Sequence, residues 1–329
     1  MLARAVELLG RLPQTRLVAC SSYLPTAPVG GPPGQGEFLN AAATVETGLS
    51  AAQLHRALLE IEAQLGRQRE QHWAARTLDL DLLLYDDLVL RTNDLTVPHP
   101  AMAYRRFVLE PAVEIAANWT HPIIGWTIAE LVAHLNNAEP YVAIAGPIGA
   151  GKTRLTRSIA QTYGGYAICD RLNATLLDML DAYPSGRDAG AEIRLLDWRK
   201  QLLAAECCPQ QHSLVISDFW FNQSLAYAAT WLPLDEAQRV KRHCSGLEQL
   251  LVRPKLLVLL DVPAAISLDV IENRGQAIEQ SWDYEHLALL RDNLLELAAR
   301  PGVGPVTVVQ GGDEERRLSQ VLAAIESMH

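Results

Sequence analysis

Gly146-Pro147-Ile148-Gly149-Ala150-Gly151-Lys152-Thr153 is the stretch on which the reading of this chain turns. It fits the phosphate-cradling pattern G-x-x-x-x-G-K-[ST]. Ahead of it, Tyr141-Val142-Ala143-Ile144-Ala145 is an apolar run of strand length. Behind it, Arg154-Leu155-Thr156-Arg157-Ser158-Ile159-Ala160 reads as a helix. Glycines let the backbone wrap so that N–H groups point inward at phosphate oxygens. The helix N-terminus adds partial positive charge at the same place. On this motif residues 146–153 are the candidate ATP-binding loop, with Gly146, Pro147, Ile148, Gly149, Ala150 and Gly151 as its wall. Lys152 is placed to reach the β/γ-phosphates and Thr153 to hold Mg²⁺.

The motif sits mid-chain, and the sequence around it divides in two. Asn136-Asn137-Ala138-Glu139-Pro140 is a polar break with turn chemistry, which sets the expected domains at 1–137 and 138–329. In the second half, strands are expected at 166–170, 213–218, 255–261 and 305–309. Helical stretches at 174–182 and 189–205 and a turn at 184–186 fall between them. Strands alternating with helices predict a parallel α/β sheet covered on both faces. Ligands bind such sheets at the carboxyl ends of the strands, where Asp170, Asp218 and the glycine-rich loop all fall.

Composition narrows the function classes. A chain of 329 residues favours two domains, and 49% hydrophobic content is that of a globular protein. The net charge of −10 argues against a nucleic-acid or membrane-surface binder. Five scattered cysteines with no C-x-x-C pair fit reduced thiols and a cytoplasmic location. Residues 1–9 carry charges within their apolar run and read as an amphipathic helix, not a signal peptide, and no apolar run is long enough to span a membrane.

The first half opens with a helix and a strand at 16–23, then a Pro- and Gly-rich loop at 25–36 and a second strand at 38–47. Residues 50–65 form an amphipathic helix with Leu54, Leu58, Ile61 and Leu65 on one stripe, Ser50 as N-cap and Gly66 as stop. A basic loop follows, then a strand over 77–85. Residues two apart on a strand share a face, so Asp79 and Asp81 project side by side, away from Leu78, Leu80 and Leu82. Paired carboxylates repel unless a cation sits between them, and oxygen-only ligands suit Mg²⁺. Arg67, Arg69 and Arg76 lie upstream as candidate phosphate clamps.

Longer runs carry a resemblance. These are Leu65-Gly66-Arg67-Gln68-Arg69, then 73–85 from Trp73 to Tyr85 through both aspartates, then Leu95-Thr96-Val97-Pro98-His99-Pro100 and Arg105-Arg106-Phe107-Val108-Leu109-Glu110-Pro111. With Thr26-Ala27-Pro28-Val29-Gly30 and Phe38-Leu39-Asn40-Ala41, they make residues 1–125 resemble 6-hydroxymethyl-7,8-dihydropterin pyrophosphokinase of folate biosynthesis. The resemblance implies a ferredoxin-like α+β fold and transfer of the β,γ-pyrophosphate of ATP to the pterin hydroxymethyl group. It implies that Asp79 and Asp81 hold two Mg²⁺ ions, that Arg67, Arg76 and Arg105 meet triphosphate charge, and that His99 and Glu62 serve the ATP site. Thr26, Asn40, Trp73 and Phe107 go to the pterin site, Asn40 by hydrogen bond and Phe107 by stacking. The family also begins with a strand and a Gly-Ser-Asn turn ahead of its first helix. This sequence has neither, so one central strand of the sheet is expected to be missing.

The second half resembles the deoxynucleoside kinases. The likeness runs through 141–153, through Ile216-Ser217-Asp218-Phe219-Trp220-Phe221-Asn222-Gln223-Ser224, through Leu259-Leu260-Asp261-Val262-Pro263 and Glu272-Asn273-Arg274-Gly275, and through Tyr284-Glu285-His286-Leu287. It implies γ-phosphoryl transfer from ATP to a deoxyribose 5′-hydroxyl, and often a homodimer. By that likeness Asp170 is the general base, Asp218 holds Mg²⁺ or organises that region, Arg274 closes over the phosphates, and the helix at 192–198 reads the base through Glu192 or Arg194. The reading is a bifunctional MgATP-dependent transferase acting on hydroxymethyl-dihydropterin and a deoxynucleoside. Two alternatives stand beside it: a first half that is only a scaffold, and a second half that phosphorylates a nucleoside monophosphate.

Overall fold

The computed structural model describes residues 1–29, 36–66, 78–170, 188–206, 212–274 and 281–329. The helix expected at 174–182 and the turn at 184–186 lie outside them. Two compact units emerge. One is Met1–Asn137 with Ala323–His329, the other Ala138–Leu322. The last seven residues thus pack with the first unit, where Arg106 donates its backbone N–H to Ser327 O and its Nε to Met328 O.

The first unit runs α1 (Leu2–Leu9), β1 (Thr15–Cys20), β2 (Leu24–Thr26), β3 (Phe38–Asn40), β4 (Ala43–Thr47), α2 (Ala51–Gln64), β5 (Leu90–Arg91), β6 (Thr96–Val97), α3 (Arg106–Ala116) and α4 (Ile128–Asn137). Its described strands form antiparallel pairs, β1 with β4, β2 with β3 and β5 with β6. The single strand expected at 38–47 is two strands. Ser21 and Ala42 exchange hydrogen bonds at the break, and this locks the chain as it passes from one partner to the other. Helix α2 starts as its sequence dictates. Ser50 Oγ accepts the Gln53 N–H while Gln53 returns a bond to the Ser50 N–H, a capping box that stabilises a helix start by about 1 kcal/mol. Leu54, Leu58 and Ile61 are buried along its stripe.

The strand expected over 77–85 is not one. Residues 78–84 have no ladder partner among the described residues. A strand exists only where a neighbour takes its N–H and C=O groups, and no described strand is hydrogen-bonded to both β4 and this segment. The alternation survives without the ladder: Leu78 is buried, Asp79 and Asp81 are exposed, and Leu80 and Leu82 are half-buried.

The second unit runs β7 (Tyr141–Ala145), α5 (Lys152–Tyr163), β8 (Tyr166–Ile168), α6 (Ala189–Glu206), β9 (Val215–Ser217), α7 (Gln223–Trp231), α8 (Leu234–Glu248), β10 (Leu256–Asp261), α9 (Ala264–Arg274), α10 (Tyr284–Ala298), β11 (Val306–Gln310) and α11 (Glu314–Glu326). Its five strands form one parallel sheet in the order β11-β10-β7-β9-β8. Every residue of β7 and β10 is buried. Helices cover both faces of such a sheet, so its central strands read as unbroken apolar runs rather than alternating ones. Among the described residues no helix is long and apolar enough to cross a membrane.

Candidate active sites

In the second unit the carboxyl ends of β7, β8 and β9 gather the chemistry. The loop after β7 turns through left-handed glycines into α5. At Gly149, φ is +78° and a Cβ would lie 2.9 Å from Ser267 O, so a side chain there meets backbone as well as strain. Gly151 caps α5 at φ +85°. Lys152 turns its Nζ into the loop, 2.9 Å from both Gly146 O and Pro147 O. Burial pulls its pKa down to about 8 against the opposing pull of Asp218, with Arg199, Asp170 and Arg274 also acting on it. Arg274, in the last turn of α9, therefore lies within electrostatic range of the lysine while remaining exposed.

Asp218, just past β9, ties these parts together. Its Oδ2 accepts from Thr153 Oγ1 at 2.5 Å and its Oδ1 from the Asp170 N–H at 2.6 Å. Burial raises its pKa against those two hydrogen bonds. One carboxylate thus joins the loop threonine to the residue after β8. Asp170 turns its own Oδ2 to Arg199, whose Nε and Nη2 donate at 2.9 and 2.5 Å.

Sequence reasoning passed over Arg199, although a signal existed. Glu192, Leu196, Arg199 and Leu203 recur at i, i+4, i+7 and i+11 on α6, and all four are buried. An arginine inside an apolar stripe calls for a buried acid. Glu192 is buried on that face, while Arg194, the other residue assigned to base reading, is exposed.

In the first unit Asp81, His99 and Arg105 come together. His99 Nε2 lies 3.8 Å from Asp81 Oδ2, its Nδ1 accepts the Ala101 N–H, and its backbone N–H donates to Leu83 O. Burial lowers its pKa. Asp81 and Asp79 pull the other way, and Arg105 adds to the lowering. Arg105 precedes α3 and stands 5.6 Å over the Phe107 ring. Asn40 Nδ2 donates to Thr26 Oγ1 across the β2–β3 pair. Glu62 is buried in α2, and its Oε1 accepts the Leu80 N–H at 2.7 Å. It therefore grips the backbone between the two aspartates, a role the sequence did not suggest. Arg67, Trp73 and Arg76 lie outside the described residues. No cluster of three or more metal-ligating side chains occurs among the described residues.

Residues 1–117 match the family described as 7,8-dihydro-6-hydroxymethylpterin-pyrophosphokinase (HPPK). The relatives include the 2-amino-4-hydroxy-6-hydroxymethyldihydropteridine pyrophosphokinase of Synechocystis sp., 41% identical over 136 residues that cover 40% of this chain and 69% of that protein. The Methylorubrum extorquens protein of the same name is 41% identical over 136 residues, 41% of this chain and 84% of its own length.

The chain belongs to the HPPK family.

The membership rests on the first unit alone. For the rest of this HPPK-family chain, similar solved structures include a deoxyadenosine kinase from M. mycoides with bound dCTP. It is 15% identical at a TM-score of 0.45, covering 55% of this chain and 96% of that one. The same kinase with bound dATP gives 16% and 0.46. Values this low carry no functional argument, and the case for the second unit rests on its own residues.

Proposed function

We propose that this HPPK-family chain is a bifunctional, cytoplasmic, MgATP-dependent transferase. Its first unit moves pyrophosphate from ATP to 6-hydroxymethyl-7,8-dihydropterin, acting as a 2-amino-4-hydroxy-6-hydroxymethyldihydropteridine diphosphokinase. Its second moves the γ-phosphoryl of ATP to the 5′-hydroxyl of a deoxynucleoside. Family membership supports the first activity. The observation that carries the second is the convergence of Lys152, Thr153, Asp218 and Asp170 at one end of a parallel sheet, with Asp218 bonded to both Thr153 and Asp170.

In the first unit Asp79 and Asp81 are both exposed while Leu80 between them is tied back by Glu62. Two exposed carboxylates suit Mg²⁺, which completes its shell with water and phosphate oxygens. His99, Arg105 and, by resemblance, Arg67 and Arg76 would meet the triphosphate. Thr26, Asn40, Phe107 and Trp73 would hold the pterin. In the second unit residues 146–151 form a P-loop, and Lys152 and Arg274 would neutralise the phosphates. Thr153 and Asp218 fit a separate Mg²⁺ in this unit, because a hydroxyl and a carboxylate already in contact can turn together to one cation. Bound Mg²⁺ would supply charge neutralisation on the transferred phosphoryl oxygens. Asp170 would take the proton of the attacking hydroxyl.

A second reading makes the first unit a scaffold, and the segment 78–84, which has no ladder partner among the described residues, favours it. Labelled ATP offered with hydroxymethyl-dihydropterin and with each of the four deoxynucleosides decides between them. The main reading requires product from both acceptor classes; the scaffold reading gives product only from nucleosides. Product from a nucleoside monophosphate alone would replace the nucleoside assignment.

A further inference from the structure

Asp170 is held unevenly. Its Oδ2 takes two hydrogen bonds from one guanidinium, Arg199 Nε and Nη2. Its Oδ1 is buried and accepts nothing from the described residues. A buried carboxylate oxygen without a donor is uncommon and marks a place where a donor arrives. Arg199 is itself fixed on every side. It is 5% exposed, its Nη1 donates to Ser224 Oγ at 2.8 Å on α7, and its Cζ lies 5.2 Å from the centroid of the Phe219 ring. Holding both guanidinium nitrogens on one oxygen leaves the carboxylate little freedom to rotate. The Asp170 backbone is pinned as well, through its N–H to Asp218.

We infer that Arg199 is the positioning residue of the second site. It fixes Asp170 so that Oδ1 alone faces the acceptor hydroxyl. The inference rests on the kinase reading above. In the step, the hydroxyl oxygen attacks the γ-phosphorus, the bond from that phosphorus to the bridging oxygen of ADP breaks, and the hydroxyl proton passes to Oδ1. Arg199 touches neither reacting partner and acts only through Oδ2. A lysine in its place keeps a point charge but loses the planar fork, so it restores part of the effect.

The test uses the full chain, with deoxynucleoside phosphorylation followed in wild type, Arg199→Met, Arg199→Lys, Asp170→Asn and the double variant Asp170→Asn with Arg199→Met. Arg199→Met should lower kcat about 100-fold, within the usual contribution of a positioned base, with KM for MgATP moved by less than about threefold. Arg199→Lys should recover about tenfold of that loss. In the Asp170→Asn background, Arg199→Met should change kcat by less than about twofold, because residues acting as a unit do not add. A kcat for Arg199→Met within about threefold of wild type overturns the inference. So does an equal further loss in the Asp170→Asn background. If Arg199→Met does not fold, Arg199→Lys decides: a kcat about tenfold down at unchanged KM supports the role, and an unchanged kcat overturns it. An unmutated chain that phosphorylates no nucleoside overturns the kinase reading and this inference together, whereas an active unmutated chain with an active Arg199→Met overturns this inference alone.

Discussion

Acid should loosen the first unit through one histidine. His121 is buried in the turn between α3 and α4, where its Nδ1 accepts the Ile124 N–H at 3.2 Å. Its backbone N–H donates to Trp126 O and its carbonyl accepts from Gly125, so the ring is fastened to a closed turn. Protonating Nδ1 removes the acceptor and places a charge in a buried site. Burial accordingly brings the pKa down to about 4, against about 6.5 in an unfolded chain. The folded value is the lower, so between those limits the unfolded state binds the proton first. Stability is therefore complete above about pH 6.5 and falls as pH drops toward 4. At pH 5.5 the loss is about 1.4 kcal/mol, or about tenfold in the opening constant. Hydrogen exchange of the peptide at 119–128, corrected for intrinsic rates, reads that constant directly. It should be about tenfold larger at pH 5.5 than at pH 7.5. His121→Asn keeps an acceptor for Ile124 without titrating, and should flatten the dependence. A change under about twofold in the wild type, or an equal change in His121→Asn, refutes the reasoning.

Two reciprocal substitutions separate the sites. Lys152→Ala should lower nucleoside phosphorylation about 100- to 1,000-fold, the range for removing a charge-stabilising donor, and leave pterin pyrophosphorylation within about twofold in a coupled assay. Asp79→Ala with Asp81→Ala should abolish pterin pyrophosphorylation while the nucleoside rate stays within about twofold. Equal loss of both activities in either variant would break the two-site account.

Much of the second unit was legible because its signals are local. Central parallel strands must be apolar throughout, so 141–145 and 255–261 announced themselves, and a glycine-rich turn between strand and helix leaves few alternatives. Long-range pairing was less visible. The aspartate segment has the alternation of a strand but pairs with no described strand, since a ladder depends on a neighbour that no local pattern encodes. Residues 38–47 looked continuous because nothing in their composition reveals the Ser21–Ala42 lock.

The same division holds for the sites. Lys152, Thr153, Asp79 and Asp81 stood out by motif. Arg199 did not, and Glu62 was named only through the family resemblance, because each works by gripping another residue, Asp170 in one case and the Leu80 backbone in the other. Both occupy buried helix faces, where an ionisable side chain among leucines is the clue. Arg67, Trp73 and Arg76 rest on the family resemblance alone.

The most direct measurement is the stoichiometry of a non-hydrolysable ATP analogue with Mg²⁺, read by calorimetry on the full chain. The account predicts two sites per chain, one lost in Lys152→Ala and the other in the Asp79→Ala, Asp81→Ala double variant. A single site in the unmutated protein would contradict it.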